Sequence, residues 1–335
     1  MGHNSRAVPR HISTGVLPAA TVVEDALARA RRRYAPVDEG EVSAVYPGLT
    51  LADPSHFGLA LVSANGMLHE VGDARVPFTI MSVAKPFLYA LVCDLIGSDR
   101  VRNLVGVDAT GLPFNSAIAV ERSADGRTNP MVNAGAIATT SLFPGATVED
   151  RWARVQEGLS MFAGRPLALD DDVLDSARET NARNRALSLL LADGGAIRGD
   201  PVEATELYTR QSCLSVTSVD LAVMGATLAD GGVNPRTGRR VVSAEAARAT
   251  LVAMTIAGLY ERSGSWLMDV GLPGKSGIGG GMVTVSPGKG ALGTFSPLLD
   301  GQGNSVRGSL AARAISEELG LDILASQAVE QGSEG

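Results

Sequence analysis

The chain has 335 residues, of which 45% are hydrophobic and 19% charged, with a formal net charge of −7. This is the composition of a globular protein, and the length suffices for one large domain or two core-bearing regions. The acidic balance disfavours nucleic acid as a partner, because nucleic-acid-binding proteins usually present a basic face. The two cysteines and four histidines lack ligand spacing, so we expect neither a disulfide framework nor a metal site.

The hydrophobic pattern separates strand-rich ends from a helical middle. In chain order it predicts a flexible arm (1–18), a helix (21–34), a hairpin around Asn65-Gly66 (57–72), a buried helix (86–97), a mostly helical stretch (100–255), a second hairpin (280–297), a short third strand (303–308) and a closing helix (309–320). No apolar run reaches the ~18 residues that span a bilayer, and no secretory signal is visible. We therefore expect a cytoplasmic protein without a membrane partner.

This order of elements predicts an α/β (α+β) fold, in which both chain ends build one antiparallel sheet flanked by the terminal helices. The expected sheet domain comprises 19–80 and 262–325, and a helical subdomain comprises 81–261. Residues 326–335 are expected to form a flexible tail.

Lysine is rare in this chain, which has only Lys85, Lys275 and Lys289. Lys85 follows Ser82 by three residues at a predicted helix start, so the two side chains share one helix face. A serine becomes a nucleophile when a neighbouring base takes its proton. Burial in the apolar run after Lys85 favours the neutral amine, whereas arginine cannot lose its proton. Ser82 and Lys85 are therefore a candidate nucleophile and base, although a four-residue pattern alone also arises by chance.

A second lysine motif supports this interpretation. Lys275 lies in Gly-Lys-Ser-Gly (274–277), just before a predicted strand. Serine β-lactamases and penicillin-binding proteins pair Ser-x-x-Lys with a Lys-Thr/Ser-Gly motif on a strand beside the site. The order of strands, Ser-x-x-Lys helix, helical insertion and second lysine motif resembles that fold. The alternative for Lys275 is an ordinary charge at a strand end.

The sequence resembles the serine-dependent glutaminases over about 46–308. Seven blocks carry the resemblance in collinear order: VGVDATGLPFNS (105–116), NPMVNAGAI (129–137), ARNRAL (182–187), LYTRQSCLSVT (207–217), GATLADGGVNP (225–235), GLPGKSGIGGG (271–281) and FSPLLDGQGNSVRG (295–308). The resemblance implies a β-lactamase-like fold and an amidohydrolase that uses an acyl-enzyme. It implies no metal or organic cofactor, and we expect a homo-oligomer, either a dimer or a tetramer.

The resemblance also implies roles for individual residues. Ser82 matches the nucleophile and Lys85 its base. Tyr46 matches the tyrosine at the pocket mouth, and Tyr260 matches the tyrosine that relays a proton to the leaving nitrogen. The remaining matches are substrate-binding residues, with the backbone N–H of the last sharing an oxyanion hole with that of Ser82: Asn133, Asn184, Tyr208 and Ile278.

Without the resemblance, these polar residues have structural alternatives. A tyrosine such as Tyr46 or Tyr208 also occurs at a core edge with its hydroxyl bonded. An asparagine such as Asn133 or Asn184 also occurs in turns and helix caps.

Two positions depart from the family pattern. Ala177 stands where the family usually has a glutamate for the substrate ammonium, and Met81 stands where it usually has glutamine. Glu179 would lie about 200° around a helix from Ala177, so it is not expected to substitute. The departures concern recognition of the α-amino group, not acylation. L-Glutamine is the leading substrate; the alternatives are a small amide without a free α-amino group, or a catalytically silent binding protein.

Overall fold

The computed structural model describes residues 15–123 and 125–326. The strands in this part of the chain are β1 Gly58–Ser63, β2 Leu68–Gly72, β3 Phe78–Thr79, β4 Ser215–Val216, β5 Gly274–Ser276, β6 Gly281–Ser286 and β7 Gly290–Phe295. The helices are α1 Ala20–Tyr34, α2 Ala84–Ile96, α3 Ser98–Val105, α4 Ala117–Glu121, α5 Asn133–Ser141, α6 Val148–Ala163, α7 Asp171–Thr180, α8 Ala182–Asp193, α9 Pro201–Ser212, α10 Ser218–Ala229, α11 Ala244–Ala257, α12 Ser263–Val270 and α13 Val306–Leu319.

Five antiparallel strands form the main sheet in the order β2-β1-β7-β6-β5. The sheet therefore joins strands from both ends of the chain, as the sequence predicts. Both predicted hairpins are present, β1-β2 around Asn65-Gly66 and β6-β7 around Gly288. Gly66 has φ +85°, a conformation that glycine adopts without steric cost.

The two faces of the sheet are covered by different helices. Leu59 and Leu61 of β1 pack with α1, α12 and α13, whereas Ala60 and Val62 pack on the face of α10. This alternation is the period of two that a strand with both faces buried requires. Helix α10 lies directly on β7, because Gly293 leaves no side chain between them; a Cβ there would stand 2.2 Å from the Ser218 carbonyl oxygen.

A small second sheet leads the chain into the helical region. Strand β3 pairs with β4, and the Ile80 N–H donates to the Leu214 carbonyl oxygen at 2.9 Å. A 3₁₀ turn, Met81–Val83, follows at once and runs into α2. Helix α2 is buried along most of its length, as its uniformly apolar sequence predicts. The turn that carries Ser82 is thus held between a strand pairing and a buried helix.

The prediction of a third strand at 303–308 is wrong. Ser305 makes only an isolated bridge with Leu299, and α13 already begins at Val306. The Ser305 side chain accepts a hydrogen bond from the Gly308 N–H, so Ser305 caps the helix. A short polar segment beside a serine fits a strand end and a helix cap equally well, and the cap bond favoured the helix.

The predicted arm (1–18) and tail (326–335) lie outside the described residues, apart from 15–18 and 326. The division into a sheet domain and a helical subdomain stays a prediction. Among the described residues, no single helix has both the length and the apolar character to cross a membrane. The required length and apolar character are met only by two consecutive segments taken together, Met81–Ile96 and Ser98–Val105, which are bent by 119° relative to each other.

Candidate active site

Ser82 and Lys85 lie side by side at the start of α2. The Lys85 Nζ is 3.1 Å from the Ser82 Oγ, and the Lys85 side chain is buried while Ser82 is half-buried. Burial lowers the pKa of Lys85 from 10.5 to about 7, because the apolar surroundings disfavour the ammonium form. A neutral amine within hydrogen-bond distance of a reachable hydroxyl can act as its general base.

Lys275 and Tyr260 lie close to the Lys85 amine, whose Nζ is 5.7 Å from the centre of the Tyr260 ring. The Lys275 Nζ lies 4.0 Å from the centre of the Tyr260 ring and donates to the Ser276 carbonyl oxygen at 2.6 Å. Burial, and then the charge of Lys85, hold the pKa of Lys275 well below its usual value. Burial raises the pKa of Tyr260, so its hydroxyl keeps its proton. The Ser82 side chain opposes this rise of the Tyr260 pKa through a weak hydrogen-bonding contact. Among the described residues, no group completes a hydrogen bond of full geometry with this buried hydroxyl.

An asparagine and a tyrosine complete the surroundings of the Lys85 amine. The Asn133 Oδ1 accepts a hydrogen bond from Lys85 Nζ at 2.7 Å and another from the Tyr208 hydroxyl at 3.1 Å. The Asn133 Nδ2 donates to Asn184 Oδ1 at 2.9 Å. Five of the predicted residues therefore meet in one hydrogen-bonded group, although they come from separate elements: Ser82, Lys85, Asn133, Asn184 and Tyr208.

Two further residues extend this group and were not predicted. Asn184 Nδ2 donates to Asn181 Oδ1 at 2.6 Å, and Asn181 Nδ2 donates to Thr209 Oγ1 at 2.7 Å. Asn181 precedes Asn184 by three residues, so the two side chains lie one helical turn apart. That spacing is a signal in the sequence for Asn181; Thr209 has none, because it comes from another helix.

An apolar wall includes Met81, the residue that precedes Ser82. Its members are buried and pack on one another: Leu49, Met81, Val173, Leu174, Ala177 and Cys213. Tyr46 and Ile278 pack against this wall. Burial raises the pKa of Tyr46 to about 12 and outweighs the opposite effect of Asn184. Glu179 is exposed whereas Ala177 is completely buried, so Glu179 does not point toward the wall.

The segment after β5 lies directly on the backbone of Ser82. A Cβ on Gly277 would stand 3.2 Å from the Ser82 nitrogen, so this approach depends on glycine. In the described part of the chain, no backbone carbonyl accepts a hydrogen bond from the N–H of Ser82 or Ile278. Two unpaired N–H groups beside a nucleophile can stabilise an oxyanion.

Backbone strain is confined to two positions in this site. Of the non-glycine residues that the structure describes, Met81 (φ +48°) and Tyr260 (φ +58°) alone have positive φ. A side chain in this region costs on the order of 1–3 kcal/mol, and such residues cluster at functional sites. One of these residues directly precedes Ser82, and the ring of the other lies near both Lys85 and Lys275, so both strained positions fall within this site.

A surface groove borders the site at Ile278, and metal ligands are scarce. The groove has a volume of about 790 Å³ and is bordered by Val45, Phe114 and Ile278 among others. The residues described contain no group of three His, Cys, Asp or Glu side chains that could hold a metal ion.

Comparison with known proteins identifies relatives over nearly the whole chain. The glutaminase family model matches residues 40–324. Glutaminase 2 of Yersinia pestis is 55% identical over 317 residues, which cover 95% of this chain and 93% of that protein. A glutaminase of Brucella abortus (strain S19) is 46% identical over 305 residues, or 91% and 96% of the two chains.

Solved structures give the same result for the fold. The probable glutaminase ybaS superposes with a TM-score of 0.90 at 40% identity, covering 92% of this chain and 99% of its own. A probable glutaminase from Bacillus subtilis, complexed with 6-diazo-5-oxo-L-norleucine, gives 0.80 at 25% identity, covering 95% and 99%. The predicted β-lactamase-like α/β fold is therefore confirmed.

Proposed function

Because the chain belongs to the glutaminase family of amidohydrolases, we propose that it hydrolyses L-glutamine to L-glutamate and ammonia through an acyl-enzyme on Ser82. The observation that carries the proposal is the Ser82–Lys85 pair, with its 3.1 Å separation and buried amine. The reaction breaks the carbon–nitrogen bond of a linear amide. It consumes one water molecule and requires no cofactor.

Acylation is the first half of the proposed reaction. The Ser82 Oγ attacks the side-chain amide carbon while its proton passes to the neutral Lys85 Nζ. The carbonyl oxygen becomes an oxyanion, which the backbone N–H groups of Ser82 and Ile278 stabilise. The Tyr260 hydroxyl gives a proton to the departing nitrogen, and the proton held by Lys85 restores the phenol as ammonia leaves.

Deacylation repeats this sequence with water. Lys85 takes a proton from water as the water oxygen attacks the ester carbon, and the proton then returns to the Ser82 Oγ as glutamate leaves. Lys275 holds the face of the Tyr260 ring, and Asn133 holds the Lys85 amine. Asn133, Asn184, Tyr208 and Tyr46 surround the space for the amino-acid end of the substrate.

A second candidate substrate follows from the apolar wall. Ala177 and Met81 are buried in a cluster of hydrophobic side chains and Cys213. An ammonium group placed against such a wall loses hydration without gaining a carboxylate partner. A small amide that lacks a free α-amino group suits this side of the site better.

The test is ammonia release from L-glutamine and from 4-carbamoylbutanoate, which is glutamine without its α-amino group. We expect kcat/KM for the better substrate to rise about tenfold per pH unit up to a pH of about 7, as Lys85 loses its proton, and to be unchanged by a chelator. Intact-mass detection of an acyl group on Ser82 checks the intermediate. Binding of either amide without turnover would favour the silent binding protein and refute the proposal.

Cellular location and assembly belong to the same proposal. We expect a cytoplasmic homo-oligomer, either a dimer or a tetramer. Cell fractionation tests the location, and size-exclusion chromatography with light scattering tests the assembly.

A further inference from the structure

The amide groups near Lys85 form one continuous hydrogen-bond chain that ends on a helix backbone. From Lys85 it passes through Asn133, Asn184 and Asn181 to the Thr209 hydroxyl, with heavy-atom distances of 2.7, 2.9, 2.6 and 2.7 Å. All of these side chains are buried. Buried polar groups linked in this way reinforce one another and fix a single arrangement.

The last link sets the direction of the amides from one end, and the Tyr208 hydroxyl, which donates to the Asn133 Oδ1 at 3.1 Å, supports the same direction at the other end. Thr209 Oγ1 donates its only proton to the Thr205 carbonyl oxygen at 2.7 Å, so it can only accept from Asn181. Asn181 must then offer its NH₂ group to Thr209 and its oxygen to Asn184. The same alternation passes to Asn133, whose oxygen faces Lys85. An amide is nearly symmetric in shape, so its hydrogen-bond partners decide its orientation.

We propose that Asn181 and Thr209 are positioning residues, which hold the Asn133 oxygen against the Lys85 amine so that the amine points at Ser82. Neither residue touches the Ser82–Lys85 pair directly. Asn181 lies between α7 and α8, and Thr209 lies on α9. The hydrogen-bonded amide chain therefore connects α5, α8 and α9 to the Lys85 amine. The proposal rests on Lys85 acting as the base in the proposed function.

The Asn133 oxygen is one of several groups that face the Lys85 amine. The others are Ser82 on the preceding turn, the Tyr208 ring at 5.9 Å on α9, the Tyr260 ring at 5.7 Å, and Lys275 on β5. A carbonyl oxygen stabilises the ammonium form, whereas an NH₂ group in its place would not. Releasing the amide chain should therefore lower the pKa of Lys85.

The decisive variant is Thr209→Val, which keeps the shape of the side chain and removes the hydroxyl. The chain has only three lysines, so ¹³Cε-lysine NMR can follow Lys85 directly after assignment by single substitutions. We expect the Lys85 titration midpoint to fall by roughly half a pH unit or more, and kcat to fall roughly tenfold. Asn181→Leu breaks the same link from the other side and should have the same effect.

Three controls separate positioning from general structural damage. Thr209→Ser keeps the hydroxyl and should restore the wild-type midpoint. Thr205→Val removes a buried hydroxyl one turn earlier on α9, which donates to the Pro201 carbonyl oxygen outside the amide chain. It should leave the midpoint unchanged. The double variant Asn181→Leu/Thr209→Val should be no worse than either single one, because both break one link.

The possible results are distinct. An unchanged Lys85 midpoint in Thr209→Val, or an equal shift in Thr205→Val, would overturn the proposal. If Thr209→Val does not fold, the Lys85 titration midpoint of Asn181→Leu tests the proposal instead, and an unchanged midpoint there would overturn it. The NMR titration needs no substrate. A wild type without hydrolase activity but with the expected shifts would therefore refute the proposed function and leave the amide chain supported.

Discussion

The amide group at Lys85 and the apolar wall that includes Met81 are built on opposite physical principles. On the Lys85 side, Asn133 and Asn184 are buried polar groups that satisfy one another through directed hydrogen bonds. In the apolar wall, Met81 and Ala177 are held by the packing of hydrophobic side chains. Hydrogen bonds depend on the direction of each donor and acceptor, whereas apolar packing depends mainly on shape and volume. We therefore expect the amide group to tolerate few substitutions, and the apolar wall to accept changes that alter which substrate fits.

This difference separates the parts of the site that can vary. A change in the amide chain leaves a buried donor or acceptor unpaired and is costly. A change in the apolar wall alters which ligand fits while Ser82 and Lys85 keep their geometry. Variants on the two sides should thus have different signatures, and three predictions test this comparison in decreasing order of effect.

The largest effect is expected at the base. Lys85→Arg should lower kcat by roughly 10⁴-fold or more, because a guanidinium stays protonated and cannot accept the Ser82 proton. Ser82→Ala should lose as much, and the double variant should be little worse than either single one. Ammonia release and circular dichroism measure activity and folding. Near-normal turnover by Lys85→Arg would exclude a neutral-lysine mechanism.

The second effect concerns stability: a substitution of Lys85 that removes activity should raise the free energy of unfolding. The native pKa of Lys85 is lowered from 10.5 to about 7, so the unfolded chain binds more protons between these values and stability rises with pH there. At pH 7 and below, this costs roughly 5 kcal/mol, at about 1.4 kcal/mol per unit. Lys85→Met should therefore raise the free energy of unfolding by up to that amount.

Urea unfolding at several pH values checks this expectation. The gain should be largest at or below pH 7 and should vanish toward pH 10.5. Lys289→Met is the matched control, because Lys289 lies outside the site and donates to the Gly320 carbonyl oxygen. A gain in Lys85→Met that does not depend on pH would contradict the assigned cause.

The third effect concerns the apolar wall. Ala177→Glu places a carboxylate in the wall, where a charge-assisted bond to an ammonium contributes about 1.5–3 kcal/mol. The kcat/KM for L-glutamine should rise roughly 10- to 150-fold, and that for 4-carbamoylbutanoate should fall. Adding Met81→Gln should enhance this change.

The control for this variant adds the same charge on the same helix. Thr180→Glu lies on the exposed end of α7 and should leave both values near wild type. If the wild type already prefers L-glutamine strongly and Ala177→Glu lowers that activity, the second candidate substrate is excluded.

The sequence alone predicted the parts of this protein that depend on local pattern. Alternation and turn residues predicted both hairpins around Asn65-Gly66 and Gly288, and the apolar run after Lys85 predicted a buried helix. The spacing of Ser82 and Lys85 predicted their contact, because one helical turn separates them. The local pattern was ambiguous at 303–308. There a helix begins, and the Ser305 side chain caps it by accepting a hydrogen bond from the Gly308 N–H.

The tertiary structure decided what surrounds that pair. Lys85 owes its lowered pKa to burial among α5, α9 and β5, and none of these elements is encoded near Ser82. The link between Asn181 and Thr209, and the packing of Cys213 on Ala177, join residues 28 or more positions apart. Short-range pattern reports spacing along one helix or strand. Hydrogen-bond partners and burial arise only when separate elements pack together, and these determine how the Lys85 amine is held against the Ser82 hydroxyl.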